Sequence, residues 1–271
     1  MPAESHNILF RSSNLHYKRF GHGEEWLFCF HGYGEESSSF LMFEPLLGNR
    51  FTIIAIDFPF HGQTNWKEGL LFDPVDLISL INRIKPANEP MYMLGYSMGG
   101  RVALQLATMI PKQIVRLVLV APDGLHKNKW QWMATRTIAG NRLFGYIMKY
   151  PFLMRVVLDL AATFKFYNQS ILKFVHYYLD DAEQRNILYR RWTTMRKFRP
   201  GMGLLKKQII QNQIPSDLVF GKFDRVILTR HGHRFSQQAE DYIKVIEIEA
   251  GHQLLREKYA LMIANLLLKD Q

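Results

Sequence analysis

Sixteen consecutive residues, Met91–Leu106 (MYMLGYSMGGRVALQL), constrain the chain more than any other stretch. An apolar run bounded by turn formers enters Gly95-Tyr96-Ser97-Met98-Gly99, and the chain leaves it with helical spacing. The pattern predicts a strand, a very tight turn and a helix, with Ser97 held at the carboxyl end of the strand. Such a turn puts the serine in a strained conformation and needs neighbours without bulk, which Gly95, Gly99 and Gly100 supply. A helix beginning near Met98 aims its N-terminal amides back at the serine. A glycine-rich loop of a Rossmann-like fold would share the spacing. The strand before Ser97 and the helix after it favour an exposed nucleophile.

The rest of the chain builds a sheet around this turn. Strand patterns recur at Glu25–Phe30, Phe51–Phe58, from Met91 into the serine turn, Ile114–Val120, Ser216–Phe220 and Ile243–Ile248, those at Phe51–Phe58 and Ile114–Val120 of the buried kind, with a looser alternation at Leu15–Phe20. Helical periodicity falls between them at Glu35–Leu47 (capped by Ser37, Ser38 or Ser39), Asp73–Ile84, Met98 onward, His231–Glu240 and Leu254–Lys269. Near-continuous apolar strands alternating with helices predict an α/β fold, a mostly parallel central sheet with helices on both faces. The alternation fails from Leu125 to Gln213, where aromatic and basic residues recur at helical intervals, as in Phe164–Tyr167 and Phe174–Tyr178. That segment reads as a helical cap inserted into one core domain, giving a core of residues 1–124 and 214–271 and a cap of residues 125–213. With 271 residues, 48% of them hydrophobic, the chain has ample material for such a core.

Cys29 is the single cysteine, which excludes an internal disulfide and reads as a small buried hydrophobe. The N-terminal residues lack the apolar core of a signal peptide, and the most apolar stretch, Phe152–Phe164, is broken by Arg155 and Asp159. A cytoplasmic, reducing compartment is the expectation. The formal charge of +10 is concentrated in the inserted segment, where fourteen basic residues between Leu125 and Pro200 face only Asp159, Asp180, Asp181 and Glu183. A solvated outer face accounts for this excess, and attraction to an anionic substrate or weak contact with an anionic membrane surface is the alternative. Nothing matches a nucleic-acid-reading motif, so no nucleic acid partner is expected. His231-Gly232-His233 lacks a third ligand nearby, so neither a metal nor a cofactor is expected.

Three residues at strand ends then stand in chain order: Ser97, Asp224 and His252. A serine hydroxyl needs a base within hydrogen-bond reach, and a histidine base needs a carboxylate to fix its tautomer. In a parallel sheet the strand carboxyl ends share one edge, so residues distant in sequence can meet there. Each has a plainer reading, Asp224 as the cap of a following helix and His252 as the cap of the last one.

The order Ser…Asp…His resembles that of the α/β-hydrolase fold family, and the resemblance runs over nearly the whole chain. It is carried by His31-Gly32-Tyr33-Gly34, Asp57–Gly62, Gly95–Gly100, Gly221–Asp224 and Gly251-His252. It implies a serine hydrolase acting on an ester or related acyl bond of a small apolar or acyl substrate. The backbone amides of Tyr33 and Met98 would form the oxyanion hole, while His31, His61 and Asp57 would anchor loops. Phe60 stands where the family usually has glycine, a departure expected to narrow the mouth of the site. A serine nucleophile disfavours the dehalogenase and epoxide hydrolase branches, which use aspartate. Gly95–Leu104 also resembles the elbow of the menaquinone-pathway 2-succinyl-6-hydroxy-2,4-cyclohexadiene-1-carboxylate synthases, lyases that eliminate pyruvate with the triad as base. That likeness would put Tyr96 and Arg101 in an anionic substrate's pocket, with Trp130 a further candidate contact from the inserted segment. A non-enzymatic binding module on the same scaffold is the remaining alternative.

Overall fold

The computed structural model describes residues 3–126, 129–152 and 181–269. Its strands are β1 (Glu4–Phe10), β2 (Ser13–Phe20), β3 (Glu25–Phe30), β4 (Phe51–Ile56), β5 (Met91–Tyr96), β6 (Ile114–Val120), β7 (Ser216–Gly221) and β8 (Ile243–Ile248). Among the described residues they form one sheet in the order β1-β2-β4-β3-β5-β6-β7-β8. From β4 to β8 every neighbouring pair is parallel, whereas β1 and β2 pair antiparallel to each other and β2 antiparallel to β4. Every residue of β4, β5 and β7 is buried, as expected for strands covered on both faces.

The helices of this sheet-bearing unit are α1 (Glu44–Leu47), α2 (Pro74–Ile84) and α3 (Met98–Met109), then later in the chain Met202–Gln211, Thr229–Ser236 and Glu257–Leu268. Asp73 caps α2 by accepting from the Val75 amide at 3.1 Å, with Pro74 opening the helix. Ala260, Ile263, Ala264 and Leu267 of the last helix bury against Leu27, Cys29, Ile53 and Leu94 on one face of the sheet. Cys29 is fully buried, and burial pushes its thiol well above the ordinary range.

Two local expectations change. The helix expected from Glu35 is a 3-10 turn over Ser37–Phe43 that runs into the short α1, and no serine caps it. The Ser37 amide donates instead to the buried Asp57 carboxylate at 2.5 Å, so the anchor across the loop takes the place of a local cap. The second change is β1, a strand that sequence patterning did not indicate. Only Ile8 among its residues is buried, and its two-residue connection to β2 uses Arg11 at φ 53 in place of the usual Asn-Gly signal.

The chain divides into two compact units, Met1–Glu68 with Asp73–His126 and Phe198–Gln271, and Gly69–Phe72 with Lys127–Lys197. The division differs from cap limits of 125–213 at both ends. Phe198–Gln213 joins the sheet unit because the helix Met202–Gln211 packs on α3 through a segment that also buries Leu205 and Ile209, and the Arg199 amide donates to Gln105 at 3.1 Å. Gly69–Phe72 joins the second unit, where the Phe72 amide donates to Thr194 at 3.1 Å and Arg196 donates to the Leu70 carbonyl.

Within the second unit, α4 (Lys129–Arg136), α5 (Ile138–Lys149) and α6 (Ala182–Thr194) are described, so the segment is helical where it can be read. We number the remaining helices α7 (Met202–Gln211), α8 (Thr229–Ser236) and α9 (Glu257–Leu268). The aromatic runs Phe164–Tyr167 and Phe174–Tyr178 lie outside the described residues, as does the side chain of Trp130. Among the described residues no helix is long and apolar enough to cross a membrane.

Candidate active site

Between β5 and α3 the chain reverses at Ser97, whose φ of 50° lies in the region that L-residues rarely adopt. The reversal is stitched by backbone. The Ser97 amide donates to Val120 at 2.9 Å, and its carbonyl accepts from Gly100 and from Asp123, each at 2.9 Å. Missing side chains make the turn fit. A Cβ on Gly99 would stand 1.9 Å from the Phe30 carbonyl oxygen, and one on Gly95 2.8 Å from the Gly100 Cα. Gly99→Ala is therefore expected to cost about 3 kcal/mol or more, a fall in Tm of roughly 6–12 °C measurable by thermal unfolding.

Ser97, Asp224 and His252 meet at one sheet edge. The Ser97 Oγ lies 3.1 Å from His252 Nε2, and His252 Nδ1 lies 2.7 Å from Asp224 Oδ2. The Asp224 side chain is fully shielded from solvent, while that of His252 keeps 24% of its surface exposed. Asp224 also accepts the Val226 and Ile227 amides on Oδ1 at 2.7 and 2.9 Å. These bonds close the turn ahead of α8, whose own N-cap is Leu228, so Asp224 holds a loop and faces the imidazole with different oxygens. The two supporting loops are joined: Lys222 donates to Ile248 at 2.8 Å and Phe223 to Ala250 at 2.9 Å.

The other anticipated residues fall into two groups. The first holds loops. His31, fully buried, accepts the Phe58 amide on Nε2 at 3.1 Å, which leaves Nδ1 to donate to the Gly32 carbonyl at 2.7 Å. The Nδ1 of His61 lies 3.0 Å from the Pro59 carbonyl, and its ring sits 4.9 Å from that of His31. Asp57 binds Ser37 on one oxygen, and on the other Gln63 at 2.9 Å and the ring of buried His16 at 2.7 Å. His16 is the residue sequence reasoning missed; its place in the loosely alternating β2 gave no sign that it meets Asp57. Phe60 takes φ 64, the left-handed conformation that glycine adopts at no cost.

The second group surrounds the serine. Gly32 is close enough to the elbow that a Cβ there would meet the Tyr96 ring at 2.8 Å and the Ser97 Cβ at 3.3 Å, so Gly32 and Tyr33 run beside the turn. Met98 is the first residue of α3. Tyr96 is buried, its hydroxyl donating to the His252 carbonyl at 3.2 Å and its ring tilted against the imidazole at 5.7 Å. Burial first, then the Glu35 and Asp224 carboxylates, push its phenol up to about 12, so it stays a donor at physiological pH. Arg101, also buried, reaches Asp123 at 3.3 Å and so ties the β6 exit to the elbow. Of the two residues that the lyase resemblance would give to an anionic substrate, Tyr96 is bonded inside the protein, whereas Arg101 faces Asp123 with its buried Nε left without a hydrogen-bond partner. Among the described residues no group of three potential ligands could hold a metal ion.

A profile of the Alpha/beta hydrolase family matches residues 27–262. The chain belongs to the alpha/beta hydrolase family. This hydrolase is 24% identical over 259 residues to the uncharacterized hydrolase YugF of Bacillus subtilis, covering 90% of each chain. It is 30% identical over 125 residues to the pimeloyl-[acyl-carrier protein] methyl ester esterase of Aeromonas hydrophila, covering 45% of this chain and 48% of that one. A match of 31% over 113 residues to a dihydrolipoyllysine-residue acetyltransferase component of Cupriavidus necator spans 41% of this chain and only 30% of that protein. The hydrolase also shares its fold with a thermophilic esterase from Thermogutta terrifontis, at a TM-score of 0.68, 16% identity and 98% coverage of both chains.

Proposed function

We propose that this hydrolase cleaves a carboxylic ester of a small apolar or acyl substrate through an acyl-serine intermediate. The observation that carries the reading is the relay itself, a serine in a strained turn with its Oγ 3.1 Å from an imidazole whose far nitrogen lies 2.7 Å from a buried carboxylate. Ser97 Oγ passes its proton to His252 Nε2 and attacks the carbonyl carbon, and Asp224 stabilises the imidazolium that forms. The amides of Tyr33 and Met98 receive the charge developing on oxygen, each worth on the order of 3 kcal/mol in the transition state. His252 returns the proton to the departing alcohol, then takes one from water as it attacks the acyl group. The acid leaves and Ser97 is restored.

Esterase and hydrolase names among the relatives support ester cleavage, as does the internal hydrogen bond of Tyr96. In this reading Tyr96 positions the base. Tyr96→Phe removes one hydrogen bond to the His252 carbonyl, worth about 1 kcal/mol, so kcat should fall about fivefold while KM stays within about twofold. A rise in KM with kcat unchanged would return Tyr96 to the substrate. The reading as a whole is tested by a fluorophosphonate probe and a series of p-nitrophenyl esters of rising acyl length. Labelling with turnover of at least one ester is expected. A wild-type protein that neither labels nor turns over any ester would leave the pyruvate-eliminating lyase or a binding module in its place.

A further inference from the structure

One helix of the second unit shows solvent the face that helices normally hide. The inner side of α5 is occupied: Asn141 donates to Thr193 at 3.0 Å and accepts from Tyr189 at 3.2 Å, and Phe144 rests on Tyr189 and Trp192 with ring centres 5.4 and 5.8 Å away. The outer side carries Ile138 at its start, then Leu143, Tyr146 and the C-cap residue Tyr150 at three- and four-residue spacing, and Phe152 follows beyond the helix end. Their exposures run from 50% at Tyr150 to 77% at Ile138, with Phe152 at 72%. Scattered apolar residues on a surface need no cause, but an apolar stripe along a whole helix marks a contact surface.

The charges carried by α5 itself have one sign. Exposed Arg142 and Lys149 lie on the same side of α5, and the Lys149 ammonium sits 5.3 Å from the centre of the Tyr150 ring. No acidic residue occurs in the sequence between Asp123 and Asp159, while Lys127, Lys129, Arg136, Arg142, Lys149 and Arg155 do. A purely solvated basic face would not interleave its cations with exposed aromatic and branched apolar side chains. A face meant for a second copy of this chain would bring like charges together. We propose that the outer face of α5 docks on an anionic phospholipid surface, its apolar stripe entering the boundary between headgroups and acyl chains and Arg142 and Lys149 meeting lipid phosphates. This rests on the second unit alone and is independent of the chemistry assigned to Ser97.

Flotation of the full chain with vesicles tests it, using phosphatidylcholine alone against phosphatidylcholine mixed with phosphatidylserine. The mixed vesicles should retain the protein at about 0.05 M salt and release most of it at about 0.5 M, where charges are screened over a few ångströms. Two double variants separate the forces, Arg142→Glu with Lys149→Glu and Leu143→Ser with Tyr146→Ser. Each should weaken retention about tenfold or more, given roughly 1 kcal/mol per basic residue at such a surface and a comparable loss for each apolar side chain withdrawn. Thermal unfolding of both variants without vesicles should stay within about 2 °C of the wild type, showing that the fold persists. Absence of retention at low salt overturns the proposal. So does retention that survives the Leu143 and Tyr146 changes, since attraction of charge alone would then suffice. A lipid-free dimer in sedimentation that those changes dissociate would assign the face to a second copy and overturn it as well.

Discussion

Ser97→Ala should lower kcat/KM for the best p-nitrophenyl ester on the order of 10⁶-fold and abolish fluorophosphonate labelling. The size follows from what the proposed mechanism loses: the atom that forms its acyl bond, and with it the purpose of the proton transfer to His252. The fold should be untouched. The Ser97 backbone amide and carbonyl, not its hydroxyl, carry the bonds to Val120, Gly100 and Asp123, and alanine keeps the same Cβ at φ 50. Thermal unfolding should therefore match the wild type to within the effect of an ordinary surface change, about 0.5 kcal/mol. Turnover within tenfold of the wild type, or labelling that persists, would mean that the reacting atom lies elsewhere.

Asp224→Asn is the sharper test, because it removes no atom from its place. The Val226 and Ile227 amides both donate to Oδ1, so an asparagine must keep its carbonyl oxygen there and turn its NH₂ towards His252. Nδ1 then has to accept, the ring proton moves to Nε2, and the nitrogen facing Ser97 Oγ can no longer receive its proton. A loss on the order of 10⁴-fold in kcat is expected with little change in KM. The imidazole ¹⁵N shifts of His252 should report the exchanged tautomer. A variant that keeps a tenth or more of its activity would show that the carboxylate does not orient the base.

Much of the frame can be read from residue patterns, for reasons that differ by element. Strands β3, β6 and β8 carry the limits expected of them, since turn formers or polar runs flank each apolar stretch. The elbow is legible because only glycine fits where a Cβ would strike the Phe30 carbonyl. What patterning missed depends on partners far along the chain. The edge strand β1 exists by pairing with β2 and buries almost nothing. The first turn after Glu36 takes its amide partner from Asp57, and no local rule for serine caps foresees that. Tyr96 and Arg101 are visible as residues of an elbow, but their neighbours are a carbonyl and a carboxylate from other loops. The same holds for Phe198–Gln213, whose helical pattern matches that of the preceding segment although it packs with the sheet.

The reversal at residue 97 has a wider meaning for how such a chain can change. Its geometry is underwritten entirely by main-chain atoms and by the emptiness around its glycines, so the side chain projecting from it is a replaceable fitting. A lineage could exchange that fitting for another reactive group, or for an inert one, and inherit the surrounding donors and the tethered imidazole intact. New chemistry, or a silent receptor, would then need one codon and no rebuilding.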